Sequence, residues 1–196
     1  MKIMNNTKNK LLFFLILIVL FCFIFGLIFM ECLGSDNKEL VKESVNGYFS
    51  DILNGNFMYL KNLFYVLRSN LFLLFLIWVL GISVIGIFFV IGILGFNSFL
   101  VGFSLSSIIY TYGVKGLLLS FIYILPELVN LFITFVLSYY SVSFSLFLFN
   151  YLFRKKDYNR KKLVFRYVKI FVLFFLFTII NSLVSVFLIP FILRIF

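Results

Sequence analysis

Apolar residues run along this chain in blocks of about 20 and more, the length a helix needs to cross a hydrocarbon core roughly 30 Å thick at 1.5 Å per residue. The blocks predict spans over 11–30, 69–94, 98–112, 117–150 and 164–189. The expected fold class is therefore all-α, a polytopic integral membrane helix bundle forming a single membrane domain over 1–196. The stretch 98–112 is short for a crossing. In 117–150, Pro126 and Glu127 interrupt the apolar run after nine residues, and proline kinks or breaks a helix. Segment 117–125 is expected to be a half-helix or re-entrant piece, tolerable at membrane depth only where protein buries its loose ends. About five crossings are expected, with six as the alternative if 117–125 spans.

Between the first two spans lies a segment of different character, 31–68. Val41, Val45, Tyr48 and Ile52 recur at helical spacing with charged residues between them, and Asn54-Gly55-Asn56 is a turn signal. Phe57, Leu60, Phe64 and Leu67 then repeat the pattern. Two amphipathic helices lying on the membrane or packed over the bundle would produce this periodicity. A docking surface for an extracytoplasmic partner, formed by Val41, Val45, Tyr48, Ile52, Phe57, Leu60 and Phe64, would produce it equally.

Composition agrees with the patterning: 64% of the 196 residues are hydrophobic and 12% charged, against about 45–50% apolar in a soluble domain. Lys2, Lys8 and Lys10 before the first block could flank a cleavable signal sequence, but the run is too long for a signal core and no small-residue cleavage site follows. A permanent anchor is expected. The net charge of +10 does not point to nucleic acid, because eight of the seventeen basic residues fall in Arg154, Lys155, Lys156, Arg160, Lys161, Lys162, Arg166 and Lys169. Such a cluster between two spans marks a cytoplasmic loop, here 154–163, and its surplus charge suits anionic headgroups. With the N-terminus inside, eleven basic residues lie on the inner side and six on the outer, which places the C-terminus outside. Cys22 and Cys32, ten residues apart on one helix, cannot bridge each other.

The chain contains no histidine, which removes the commonest general base, histidine-dependent triads and most zinc sites. It has no paired carboxylates within a span and no phosphate-binding glycine loop followed by Lys-Ser or Lys-Thr. No catalytic, cofactor-binding or metal residue is expected. Glu127 is the one acid within an apolar block, with Asn130 on the same helix face, and an intramembrane ionisable group is a functional candidate. A glutamate just after a proline also suits the first turn of a helix, so capping, an ion or proton site and an interhelical contact all remain open. Small residues four apart at Ser98, Gly102 and Ser106, at Ser141 and Ser145, and at Asn181 and Ser185 allow helices to approach closely in lipid.

The run Trp78-Val79-Leu80-Gly81-Ile82-Ser83-Val84-Ile85-Gly86, followed by Leu100-Val101-Gly102-Phe103-Ser104 and by Gly116-Leu117-Leu118-Leu119-Ser120-Phe121 leading to Pro126, resembles the stage II sporulation protein M family. The order of basic terminus, anchor, polar outer segment, glycine-containing spans, basic loop and final span agrees over nearly the whole chain. Members of the wider family often carry Pro-His-Gly at the interrupted segment. Here Pro126 is followed by Glu127 and Leu128, so no role tied to that histidine is implied. The resemblance implies a non-catalytic scaffold of the engulfment machinery in the cell membrane, at the sporulation septum and in the engulfing membrane of the mother cell. Its implied partners are membrane lipid and two membrane-anchored peptidoglycan hydrolases, stage II sporulation proteins D and P, with no nucleic acid. The septal wall would be thinned and the membrane would then migrate.

A different class also fits the composition: a permease-like subunit for a small solute or ion, with Glu127 and the proline-broken helix at its site. That architecture normally shows paired breaks in two related halves. This chain has one, and no internal repeat. A membrane-bound lipid-processing enzyme is a third class, disfavoured by the absence of histidine and of clustered acids.

Overall fold

The computed structural model describes residues 2–154 and 160–195, with side chains from 9 to 151 and from 161 to 193 except Lys162. Five helices follow one another: α1 (Lys2–Cys32), α2 (Ser35–Leu53), α3 (Tyr59–Leu80), α4 (Gly86–Arg154) and α5 (Arg160–Ile195). No strand occurs among the described residues. The expected basic loop 154–163 lies partly outside them, since Lys155 to Asn159 are not described.

Four of the helices, α1, α3, α4 and α5, are long and apolar enough to cross a membrane. The longest, α4, would extend about 100 Å if straight, and it is not straight. Gly113 adopts φ 58° and ψ −132°, a backbone state that side chains with a Cβ rarely adopt, and the chain doubles back there. Gly116 lies so close to the preceding turn that a Cβ on it would stand 2.6 Å from the Ile108 carbonyl oxygen. Further from the apex, Val101 packs with Ile124 and Leu131, and Asn97 donates to Thr134 at 3.4 Å. These pairings step apart evenly, as they must in an antiparallel hairpin with arms 86–112 and 114–154.

Two sequence expectations are corrected by these bounds. The continuous segment 69–94 does not exist: α3 ends at Leu80 and a tight reversal over 81–85 leads into α4. Gly81 closes α3 with its N–H on the Ile77 carbonyl at 3.0 Å, and Ser83 N–H reaches Leu80 at 3.0 Å. A Cβ on Gly86 would collide with the Leu80 carbonyl. The break expected at Pro126 is also absent, because α4 runs through it and the non-helical residue inside α4 is Gly113. Asn181 of α5 donates to the Pro126 carbonyl at 2.9 Å, an added tie to a neighbouring helix beside the carbonyl of Ile122, the one a proline here leaves without its helical partner.

The first amphipathic helix is present as α2, with Gly34 before its first turn, Asp36 within that turn and Asn54 at its end. Gly55, at φ 77°, makes the predicted turn. The second does not form: Leu60, Phe64 and Leu67 belong to α3, which begins at Tyr59, so the segment outside the long apolar helices ends near Met58 rather than at Arg68.

Aromatic side chains with polar tips collect at two levels. Tyr48, Tyr59, Tyr112 and Tyr123 surround the cluster under α2, while Trp78 and Tyr167 stack at the far end and Arg166 lies 5.9 Å over the Tyr140 ring. From Tyr123 to Tyr140 along α4 the rise is about 25 Å, and from Tyr59 to Trp78 along α3 about 29 Å. That separation matches the two aromatic belts of a bilayer protein.

Candidate functional site

The α2 end of the bundle is where extramembrane structure meets the helices. α2 is short of apolar residues, and those it has fall on one side because they recur every three to four positions. Phe49 and Ile52 are buried in one cluster with Phe57, Ile108 of the hairpin, and Val186, Ile189 and Leu193 of α5, and Val45 and Tyr48 pack against it. Tyr48 makes edge-on contacts with Phe49, Phe57 and Tyr123 at 5.6–5.9 Å between ring centres. The bundle thus covers the apolar face of α2 at Phe49 and Ile52, while Leu40 and Leu53 stand exposed.

The candidate partner residues accordingly separate. Val45, Tyr48, Ile52 and Phe57 point into the bundle end, Val41 is half-buried along a groove, and Leu60 and Phe64 stand 70% and 73% exposed on the apolar helix α3. They do not form one surface. What α2 presents outward is polar, with Glu43, Asn46 and Ser50 exposed.

Burial pushes the Tyr48 phenol up to about 12, with the charge of Glu127 adding to the effect. The folded value lies above the ordinary one of about 10, so the neutral phenol is the form the seat favours. Its contribution is complete below about pH 10 and is lost as pH rises towards 12. In an absorbance titration at 295 nm, Ile52→Asp should shift one tyrosine from the late-ionising fraction into the main transition.

Deeper in the bundle a polar layer links four helical segments. Asn130 donates to Asn70 of α3 at 3.1 Å, and Asn70 donates to Ser182 of α5 at 3.3 Å. On the same level Thr134 donates to the Asn130 carbonyl at 2.8 Å. Asn130 is thus an interhelical contact. Glu127 is half-buried one turn from Tyr123 and close enough to Tyr48 and Tyr123 for its charge to act on them. Asn70 and Asn97 were not singled out from sequence, although an asparagine inside an apolar run carries the same signal that drew attention to Glu127.

Small residues operate at two interfaces. Gly102 abuts α1 so closely that a Cβ would strike the Phe23 carbonyl, and Gly26 of α1 abuts the Phe99 carbonyl in return. Ser98 is fully buried with its hydroxyl on the Leu94 carbonyl at 2.8 Å, and Ser106 is half-buried. At the far end the fully buried Ser141 shares a 2.9 Å hydrogen bond with the Tyr167 hydroxyl, which donates to the Trp78 carbonyl at 2.8 Å. Ser145 donates to the Ser83 carbonyl. Tyr167, held in place by Ser141, and Ser145 therefore tie down the 81–85 reversal, their hydroxyls donating to the Trp78 and Ser83 carbonyls.

Tyr167→Phe removes both hydroxyl bonds while keeping the ring stack. It should destabilise the fold by about 1–2 kcal/mol, read as a lower midpoint in detergent denaturation. Combined with Ser141→Ala it should cost less than the sum of the two single changes.

Among the described residues no three His, Cys, Asp or Glu side chains come together as a metal site would require. No curated protein and no solved structure shows significant similarity to the chain. A family described as stage II sporulation protein M matches residues 11–190, a range that holds α2, α3, the glycine-lined reversal, the Gly113 hairpin and most of α1 and α5. This helical membrane protein, with an amphipathic helix seated over one end of its bundle, belongs to the stage II sporulation protein M family.

Proposed function

We propose that the chain is a non-catalytic scaffold of the sporulation engulfment machinery that gathers membrane-anchored peptidoglycan hydrolases, stage II sporulation proteins D and P, at the division septum for wall thinning and membrane migration. Family membership carries this reading. The seated α2 supports it, because a helix fixed to the bundle by Phe49 and Ile52 holds its polar face in a fixed attitude, suited to a partner that is itself membrane-anchored.

The proposed topology has five crossings: α1, α3, the two hairpin arms and α5, with the N-terminus inside. α2, the start of α3, the hairpin apex and the end of α5 then lie outside, and the basic residues from Arg154 to Lys169 inside, as the charge imbalance favours. The permease alternative drew on Glu127 together with a helix broken at Pro126; α4 is continuous there, which leaves Glu127 as its support.

The test is co-purification from detergent-solubilised sporulating cells, comparing the parent with Glu43→Lys/Asn46→Arg, which alters only exposed positions of α2. Recovery of the wall hydrolases should fall at least tenfold while membrane insertion is unchanged. Equal recovery would remove α2 as the docking face. An ATP-binding subunit recovered in place of hydrolases would overturn the scaffold reading.

A further inference from the structure

Two adjoining hollows lie between α2 and the first arm of the α4 hairpin. One is a mostly apolar groove of about 420 Å³, walled by Val41, Val45 and Tyr48 of α2 and by Phe103 and Ile108 of the arm. The other is a polar recess at Ser35, Lys38, Glu39, Lys42 and Tyr110. Along the arm, Tyr110 stands about 10 Å nearer the hairpin apex than Phe103. The polar recess is thus at the bundle end and the groove runs below it towards the level of the hydrocarbon. This is the order in which a phospholipid standing in that leaflet presents its headgroup and its chains.

The charges in the recess narrow the headgroup. The Lys38 ammonium is committed: it donates to the Glu31 carbonyl at 2.9 Å, pairs with the Glu31 carboxylate at 3.7 Å and lies 5.6 Å over the Tyr110 ring. Lys42 and Glu39 carry no ion pair among the described residues. What remains is one cation and one anion on adjacent turns of α2, with no net charge. An anionic lipid would satisfy Lys42 and be repelled by Glu39. A zwitterion satisfies both, its phosphate at Lys42 and its ammonium at Glu39. A primary ammonium has the N–H donors that a carboxylate can accept, which a trimethylated one lacks.

We infer that the cleft between α2 and the first arm of the α4 hairpin binds one phospholipid with a primary-amine zwitterionic headgroup, phosphatidylethanolamine being the type, with an acyl chain in the Val41–Phe103 groove. The site depends on α2 being seated but not on the identity of any protein partner, so it stands or falls apart from the scaffold reading.

Native mass spectrometry of the full chain, released from micelles holding equimolar phosphatidylethanolamine, phosphatidylglycerol and phosphatidylcholine of identical chains, tests it. The parent should retain one phosphatidylethanolamine at least fivefold over either competitor. Lys42→Ala should cut that retention at least fivefold, Glu39→Gln should bring phosphatidylethanolamine and phosphatidylglycerol to parity, and Val41→Trp, which fills the groove, should lower retention of all three. Lys61→Ala, at the same end but outside the recess, should match the parent. Equal or stronger retention of phosphatidylglycerol by the parent would overturn the inference, as would variants indistinguishable from it. Displacement of the lipid by soluble glycerophosphoethanolamine at equal concentration would overturn the role of the groove.

Discussion

Gly26→Leu is expected to detach α1 from the rest of the bundle. The two backbones touch at this crossing, where a Cβ on Gly26 would strike the Phe99 carbonyl and come within 2.9 Å of the Phe103 nitrogen. Both are main-chain atoms inside a regular helix, so neither can yield as a flexible side chain would. Overpacking of this kind costs about 1–3 kcal/mol, and more where the obstacle is rigid. Away from this crossing α1 still packs on the hairpin, with Leu15 and Met30 fully buried and Val19 and Phe23 against Val101, so accommodating a side chain at Gly26 means drawing the two helices apart along that contact. Close approach of small residues is also the main attraction between helices in lipid. The native Cys22 provides the readout, because a Cβ at Gly95 stands 3.1 Å from its Sγ. With Cys32 replaced by serine, Gly95→Cys should form a disulfide with Cys22 under mild oxidation, and adding Gly26→Leu should reduce its yield at least tenfold. An undiminished yield would show that the crossing does not depend on glycine.

Ile52→Asp should have the second large effect, on α2 alone. Ile52 is fully buried in the cluster formed with Phe49, Phe57, Ile108 and the end of α5. An unpaired carboxylate there costs several kcal/mol, about the whole of what one amphipathic helix can gain by docking few side chains. Amide exchange over Ser35–Leu53 should accelerate at least tenfold while the polar layer at Asn70, Asn130 and Ser182 keeps its protection. Leu53→Asp, one residue away but 63% exposed, should leave exchange near the parental rate. If both substitutions released α2 equally, its seat would not be the apolar one described.

The sequence was most legible where water enforces a pattern and least where lipid does not. Val45, Tyr48 and Ile52 reveal α2 because its other face must be polar. The turn at Tyr112–Gly116 is visible through its glycines and Lys115. The reversal over 81–85 was missed although Gly81, Ser83 and Gly86 mark it, because no charge interrupts the apolar run there and the carbonyl groups are satisfied at a distance, Trp78 by Tyr167 and Ser83 by Ser145. Pro126 misled for the complementary reason: a local rule predicts a break, whereas α4 runs on through it, packed beside α5, whose Asn181 bonds the Pro126 carbonyl from 55 positions along the chain. Of the small-residue signals, Gly102 lies at the close approach of α4 to the Phe23 carbonyl of α1. Its counterpart Gly26 was not singled out, although Cys22 stands four residues before it.

The Gly113 hairpin also bears on how the chain enters a membrane. Its arms meet with almost no linker, and Lys115 is the one charge near the apex, so passing this tip through hydrocarbon involves a single buried ammonium, about 3 kcal/mol on insertion scales. The connection between α1 and α3 holds seven charged residues between Glu31 and Met58, and the same cost per charge would total roughly 20 kcal/mol. In the proposed topology both must reach the far side. The hairpin can therefore partition into lipid as a preassembled pair of arms, whereas residues 31–58 require a protein-conducting channel, which makes the α1–α3 half the step at which biogenesis of this protein is most dependent on cellular machinery.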